Sequence, residues 1–229
     1  MALRTAGIIV AATLGLLLGC ADGRPAVARE ARDSAPGPAA AGPPTGGPTI
    51  VFLGTSLTAG YGLDPDSAFT ALVQHKIDSA GLQFRVVNAG VSGESSAGAL
   101  RRINWILRQP PSFLVIETGA NDGLRGQTPD SIQANIQTMI DQVRARSPST
   151  RIVLAGMEAL PNLGADYVRR FRAIFPALAK TNRLPLIPFL LVGVAGVDSL
   201  NQQDGIHPNP AGSRIVATTV WRGLEPLLR

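Results

Sequence analysis

The chain has 229 residues, 45% of them hydrophobic, which is enough for one ordinary domain with appendages and too apolar for a chain disordered throughout. Its one cysteine, Cys20, stands in the N-terminal segment, so the rest of the chain contains no disulfide, thiol nucleophile or cysteine zinc site. Beyond residue 48 the basic residues, nearly all arginine, outnumber the acidic ones by four, but they are scattered and aromatics make up 5% of the chain. With no basic stripe and no stacking platform, nucleic acid is not an expected partner.

The first residues read as a targeting segment: Arg4 supplies a positive start, and residues 8–18 form an apolar run too short to span a bilayer comfortably. Cys20 follows at once in the string LLGC, which resembles the lipobox of bacterial lipoproteins. That resemblance implies cleavage before Cys20, lipidation of its thiol and a membrane anchor on the periplasmic face of a bacterial membrane. The alternative is an ordinary secretory signal cut after Ala26, Val27 and Ala28, leaving a secreted soluble protein. Residues 20–48 are mostly Ala, Pro and Gly with no buriable period, so a disordered tether is expected there. The expected organisation is a signal peptide over 1–19, lipidated Cys20 and tether over 20–48, and a folded domain over 49–229.

Within the domain, Ile50, Val51, Phe52 and Leu53 predict a buried parallel strand, closed by Gly54 and followed by the small polar residues of GTSLTAGYG. Helical spacing over 67–79 places Phe69, Leu72, Val73 and Ile77 on one face. A second strand is expected over 84–88. The string AGVSGES follows, then a helix with Leu100, Ile103, Ile106 and Leu107 inward, ended by Pro110 and Pro111. The third strand, 113–117, opens into TGANDGLRG. A helix beginning at Pro129 and Asp130, a strand over 152–155, a helix over 167–180, a strand over 185–190 and a last helix over 210–228 complete the domain. Strands alternating with helices predict an α/β fold with a parallel sheet covered on both faces.

The loops after the strands carry the chemistry. In an open α/β sheet, ligands bind at the carboxyl ends of the strands, and Ser56 stands at such an end. By itself a serine there is an ordinary turn former or helix cap. Of the two histidines, His75 belongs to the solvated face of a helix, whereas His207 lies in a loop after the fifth strand, three residues beyond Asp204. A carboxylate that close can turn back onto imidazole Nδ1 and leave Nε2 free to take a serine proton, so Ser56, His207 and Asp204 form a candidate triad. Acyl transfer also needs donors where negative charge develops. The backbone N–H of Ser56, that of Gly93 and the side-chain amide of Asn121 are the candidates.

Four blocks in order, GTSL with Ser56, VSGES with Gly93, GANDG with Asn121, and DGIHPN with Asp204 and His207, closely resemble the SGNH subgroup of the GDSL esterases and lipases. The nearest branch is that of periplasmic thioesterases, lysophospholipases and arylesterases. The resemblance implies a three-layer αβα, flavodoxin-like fold with five parallel strands. It also implies Ser56 as nucleophile, His207 as base, Asp204 as its orienting acid, and Ser56, Gly93 and Asn121 as the oxyanion hole. The expected substrate is a small acyl ester, with no cofactor, no metal and no obligate protein partner. One departure stands out. The family's first block has Asp before the serine and this chain has Thr55, whose hydroxyl can still bond neighbouring backbone groups but without charge and more weakly, so a less stiff nucleophile turn is expected. Within the family the alternative is a carbohydrate O-acetyl esterase. Outside it, a non-catalytic tethered binding module is the rival, although the first loop lacks the GK[ST] and GxGxxG patterns of nucleotide sites. Leu124, Leu160 and Leu163 are candidates for an acyl-chain wall or for loop packing.

Overall fold

The computed structural model describes residues 47–229. The expected signal peptide, Cys20 and nearly all of the expected tether lie outside the described residues. Five parallel strands run in the order β2-β1-β3-β4-β5: β1 Thr49–Gly54, β2 Arg85–Gly90, β3 Phe113–Glu117, β4 Arg151–Ala155 and β5 Leu186–Ile187. The two central strands β1 and β3 are the continuous apolar runs, with every residue of β3 buried, whereas the edge strand β2 is only half-buried. That is the pattern a parallel sheet covered on both faces requires.

Helices flank the sheet: α1 Ser56–Ala59, α2 Phe69–Ser79, α3 Ser96–Ile106, α4 Ala120–Leu124, α5 Pro129–Arg146, α6 Ala165–Asn182 and α7 Pro210–Leu228. On one side α3 packs on α5 and α5 on α6; on the other α2 packs on α7. Two layers of helix with the sheet between them make the expected αβα sandwich. From β1 the chain moves outward to β2 and then returns past β1 to β3, so the strand order reverses there and the loops after β1 and β3 diverge. That crevice is where the fold leaves room for a ligand. Core contacts hold its floor, among them Phe52 edge-on to Phe69 at 5.6 Å between ring centroids, and Phe171 edge-on to Phe175 at 5.8 Å. Truncating either fully buried ring, Phe52 or Phe171, to Ala costs about 3–5 kcal/mol by analogy with other cores.

Several element boundaries differ from the sequence expectation, most of all in the fifth strand and the second and sixth helices. The fifth strand is two residues long instead of covering 185–190, because Pro185 and Pro188 have no N–H to give to a ladder. Gly156 completes the pairing, donating its N–H to Ile187 O at 2.7 Å and accepting from Leu190 N at 2.9 Å. A Cβ at Gly156 would stand 1.8 Å from Pro188 O, so only glycine permits this approach. The second helix begins at Phe69 after a separate 3-10 turn over Pro65–Ser67, and the sixth runs from Ala165 to Asn182, longer at both ends than expected and continuing through Pro176.

Candidate active site

Ser56 is the first residue of the four-residue helix α1, directly past the end of β1. The turn is built around three neighbours. Thr55 caps α1, its Oγ1 accepting from Leu57 N at 3.4 Å, and Gly60 closes it in the left-handed region at φ 74°. Gly54 has no room for a side chain, since a Cβ there would meet Thr58 Oγ1 at 2.0 Å and Glu117 Oε2 at 2.6 Å.

His207 arrives from the loop before α7, where an isolated bridge pairs Asn201 with Pro208 and Gln202 donates its N–H to His207 O at 2.7 Å. Its Nε2 is 2.8 Å from Ser56 Oγ, and its Nδ1 is 2.7 Å from Asp204 Oδ2. The other oxygen of Asp204 accepts the backbone N–H groups of His207 at 3.0 Å and Ile206 at 2.9 Å. Those two donated hydrogen bonds, the His207 one first, bring the Asp204 carboxyl down to about 2. One carboxylate therefore fixes both the loop backbone and the imidazole. The ring of Tyr61 lies against the imidazole, centroids 4.7 Å apart, and Gln202 Nε2 ties the two loops by donating to Tyr61 O at 2.7 Å and Pro208 O at 3.0 Å. His75 is exposed on α2 and has no part in this cluster.

The loops after β2 and β3 complete the rim. Val91 N donates to Gly54 O at 2.9 Å, joining the Gly93 loop to the Ser56 turn. Asn121 Nδ2 donates to Glu94 O at 3.1 Å, joining the Asn121 loop to the residue after Gly93. Gly93 sits at φ 76°, and its carbonyl accepts from Arg125 Nη2 at 2.9 Å. Among the described residues the N–H groups of Ser56 and Gly93 donate to no protein acceptor, which leaves them for a ligand atom. Leu124 and Leu160, in the segments after β3 and β4, are exposed and Leu163 is half-buried, so the first two do not serve core packing. Among the described residues no three His, Cys, Asp or Glu side chains group as a metal site.

Two buried carboxyl groups were not singled out from the sequence. Glu117, the last residue of β3, accepts from Thr55 N at 2.7 Å, from Thr55 Oγ1 at 2.9 and 3.0 Å, and from Thr58 Oγ1 at 2.9 Å. Burial pushes its carboxyl above the ordinary value, while the Thr55 and Thr58 hydrogen bonds oppose the shift. Thr55 does bond a neighbouring backbone group, Leu57 N at 3.4 Å, but the turn does not rest on that bond alone. Thr55 hands its hydroxyl and its N–H to an acid brought from β3. Asp122 accepts from Ser96 N at 2.7 Å and Ser96 Oγ at 2.6 Å. The available signal was an acid ending an otherwise apolar five-residue strand, a place where a solvated side chain is the usual reading.

A family model described as the GDSL-like lipase/acylhydrolase family matches residues 52–215. The esterase TesA of Pseudomonas aeruginosa is 39% identical over 181 residues, covering 79% of this chain and 89% of that protein. The thioesterase 1/protease 1/lysophospholipase L1 of Escherichia coli is 35% identical over 181 residues, covering 79% and 85%. Among solved structures, the psychrotrophic esterase EstA from a Pseudoalteromonas species, inhibited by monoethylphosphonate, superposes with a TM-score of 0.74 at 32% identity, covering 79% of this chain and 98% of that one. Taken with the parallel sheet and the loops that meet at its carboxyl end, these likenesses show that the chain belongs to the GDSL-like lipase/acylhydrolase family and is an ester hydrolase.

Proposed function

We propose that the chain hydrolyses carboxylic esters through a covalent acyl-enzyme on Ser56. Ser56 Oγ attacks the acyl carbonyl as His207 Nε2 takes its proton, and the imidazolium then gives that proton to the leaving oxygen. Asp204 holds the imidazole with Nδ1–H facing its carboxylate. The N–H of Ser56, the N–H of Gly93 and the amide of Asn121 stabilise the oxyanion, and water repeats the cycle to release the acid. The observation that carries this reading is the Oγ···Nε2 distance of 2.8 Å in line with the Nδ1···Oδ2 distance of 2.7 Å.

The exposed Leu124 and Leu160, with Tyr61 beside His207, favour an apolar acyl chain over an acetylated sugar. Acyl and aryl esters, thioesters and lysophospholipids are the substrate classes, in keeping with the names of the relatives. Export is part of the same reading: a signal peptide over 1–19, a lipid on Cys20 facing the periplasm, a tether to residue 48, and the catalytic domain from 49 onward. Labelling with a lipid precursor, present in the parent and absent in Cys20→Ala, tests the anchor.

The catalytic reading is tested by comparing Ser56→Ala with the parent on a p-nitrophenyl ester series from acetate to palmitate. A loss on the order of 10⁶-fold is expected if the three residues act as a unit. Equal rates in the two proteins end the reading, and a preference for acetylated sugars over medium-chain esters moves the substrate to the carbohydrate class.

A further inference from the structure

Resting on that catalytic reading, we propose that Glu117 and Asp122 are positioning residues, which clamp the nucleophile turn and the glycine loop onto the asparagine loop and so set the spacing of the three oxyanion donors. The donors come from three separate loops, after β1, β2 and β3. Beyond the last paired residues the loops are joined directly by Val91 N to Gly54 O and by Asn121 Nδ2 to Glu94 O, and buried carboxyls reinforce those two links. The segment from Glu117 to Asp122 supplies them, one at each end, with Asn121 next to the second.

At the first end, Glu117 reaches across to the loop after β1. It receives the N–H of Thr55, the residue before Ser56, and the hydroxyl of Thr58, two residues beyond it. The nucleophile is thus gripped on both sides by one carboxyl that is 1% exposed. At the second end, Asp122 reaches across to the loop after β2. It receives the N–H and the hydroxyl of Ser96, the first residue of α3, while Ser96 Oγ accepts in turn from Asn135 Nδ2 at 2.9 Å. Glu94, next to Gly93, is itself bonded to Arg102, whose Nη2 also donates to Ala89 O at 2.7 Å. The Gly93 loop is therefore held at both of its ends. A displaced donor is costly because hydrogen bonds to a developing oxyanion depend steeply on distance, and a misplacement of about 1 Å can cost roughly 100-fold in rate.

The two carboxyls differ in what an amide can replace. In Glu117→Gln the carbonyl can accept from Thr55 N, Thr58 Oγ and Thr55 Oγ while the NH₂ donates to Thr55 Oγ, so every former donor keeps an acceptor and only the second amide hydrogen is new. In Asp122→Asn the NH₂ meets either the N–H of Ser96 or a hydroxyl already accepting from Asn135, and one donor is left over.

The test is steady-state kinetics on p-nitrophenyl butyrate, together with the rate of Ser56 labelling by a p-nitrophenyl phosphonate, for parent, Glu117→Ala, Glu117→Gln, Asp122→Ala and Asp122→Asn. We expect kcat and the labelling rate to fall about 100-fold in each alanine variant and about tenfold in Asp122→Asn, with KM within about threefold of the parent and near-parent kcat restored in Glu117→Gln. Should an alanine variant fail to fold, Thr58→Val and Ser96→Ala each remove one strut and are expected to show the same kcat-only loss at about tenfold. Folded variants whose melting temperature drops while kcat and labelling rate stay at the parent's values overturn the proposal. A parent that hydrolyses no ester overturns instead the catalytic reading on which it rests.

Discussion

His207 Nε2 stands 2.8 Å from Ser56 Oγ although 151 positions of chain separate them. The contact is made by two loops that the sheet delivers to one rim, and it is braced from behind: Gln202 couples the strand-like pair around Pro208 to Tyr61, on the far side of the nucleophile turn. The imidazole is held on its other edge by Asp204, which tests how the base is oriented.

Asp204→Asn separates the two tasks of that carboxyl. The amide oxygen can still accept the N–H groups of Ile206 and His207, so the loop keeps its shape, but the NH₂ then faces Nδ1 and selects the tautomer that carries its proton on Nε2. That tautomer cannot take the Ser56 proton. The expected loss in kcat is on the order of 10³- to 10⁴-fold with KM near the parent's, as for equivalent substitutions in other serine hydrolases. Circular dichroism and ester turnover measured together check it. A loss below tenfold with an intact fold contradicts the assigned role.

The pH profile separates Asp204 from its partner. With its carboxyl at about 2, Asp204 is ionised across the whole range in which esterase activity is measured. A depressed carboxyl contributes stability that is complete above its unfolded value and is lost as pH falls from there through the folded one, so Asp204's share of stability declines below about pH 5 while its own ionisation in the folded enzyme changes only below about pH 3. Asp204 in the folded enzyme should therefore add no proton uptake to the kcat/KM profile above about pH 3. Stopped pH-jump assays, which outrun acid unfolding, provide the check. A unit slope between about pH 3 and 5 that disappears in Asp204→Asn contradicts the assignment.

Glu117 shifts in the opposite sense, and so does its effect on stability. Burial raises its carboxyl, so the folded state holds the proton to higher pH than the unfolded chain does. Between the unfolded value, about 4.3, and the folded one, the native protein carries the extra proton, and stability declines as pH rises through that window before levelling off. Glu117→Gln has no such proton to lose. Its melting temperature relative to the parent's is expected to climb as pH is raised from about 4 towards 8; a constant difference over that range contradicts a raised Glu117 carboxyl.

Much of this arrangement could be read from the residues themselves, for definite physical reasons. The unbroken apolar runs at 50–53 and 113–116, short and bounded by turn residues, read as buried strands, and both form the centre of the sheet. Ser56, Gly93, Asn121 and the Asp204–His207 pair stood out because each follows a strand in a loop of small or turn-forming residues. Pro185 and Pro188 were legible as residues, but their consequence, a fifth strand cut to Leu186–Ile187 and completed by Gly156, depends on a close backbone approach between distant segments. The buried acids were hidden for a similar reason. Glu117 and Asp122 are satisfied by hydroxyls and N–H groups from Thr55, Thr58 and Ser96, all remote in sequence, and no local pattern announces that an acid has found buried donors. Thr55 shows the same limit. Seen beside Ser56 it looked like a weakened cap, and only the β3 carboxyl explains how a neutral side chain holds that turn.

The covalent step on Ser56 is tested most directly by treating the protein with a p-nitrophenyl phosphonate ester and following nitrophenolate release, intact mass and residual esterase activity together. The expected result is one nitrophenolate per chain, one phosphonyl group on the peptide containing Ser56, activity lost in step with labelling, and no label in Ser56→Ala. Full esterase activity in the Ser56→Ala protein, or inactivating modification at any other residue, would contradict it.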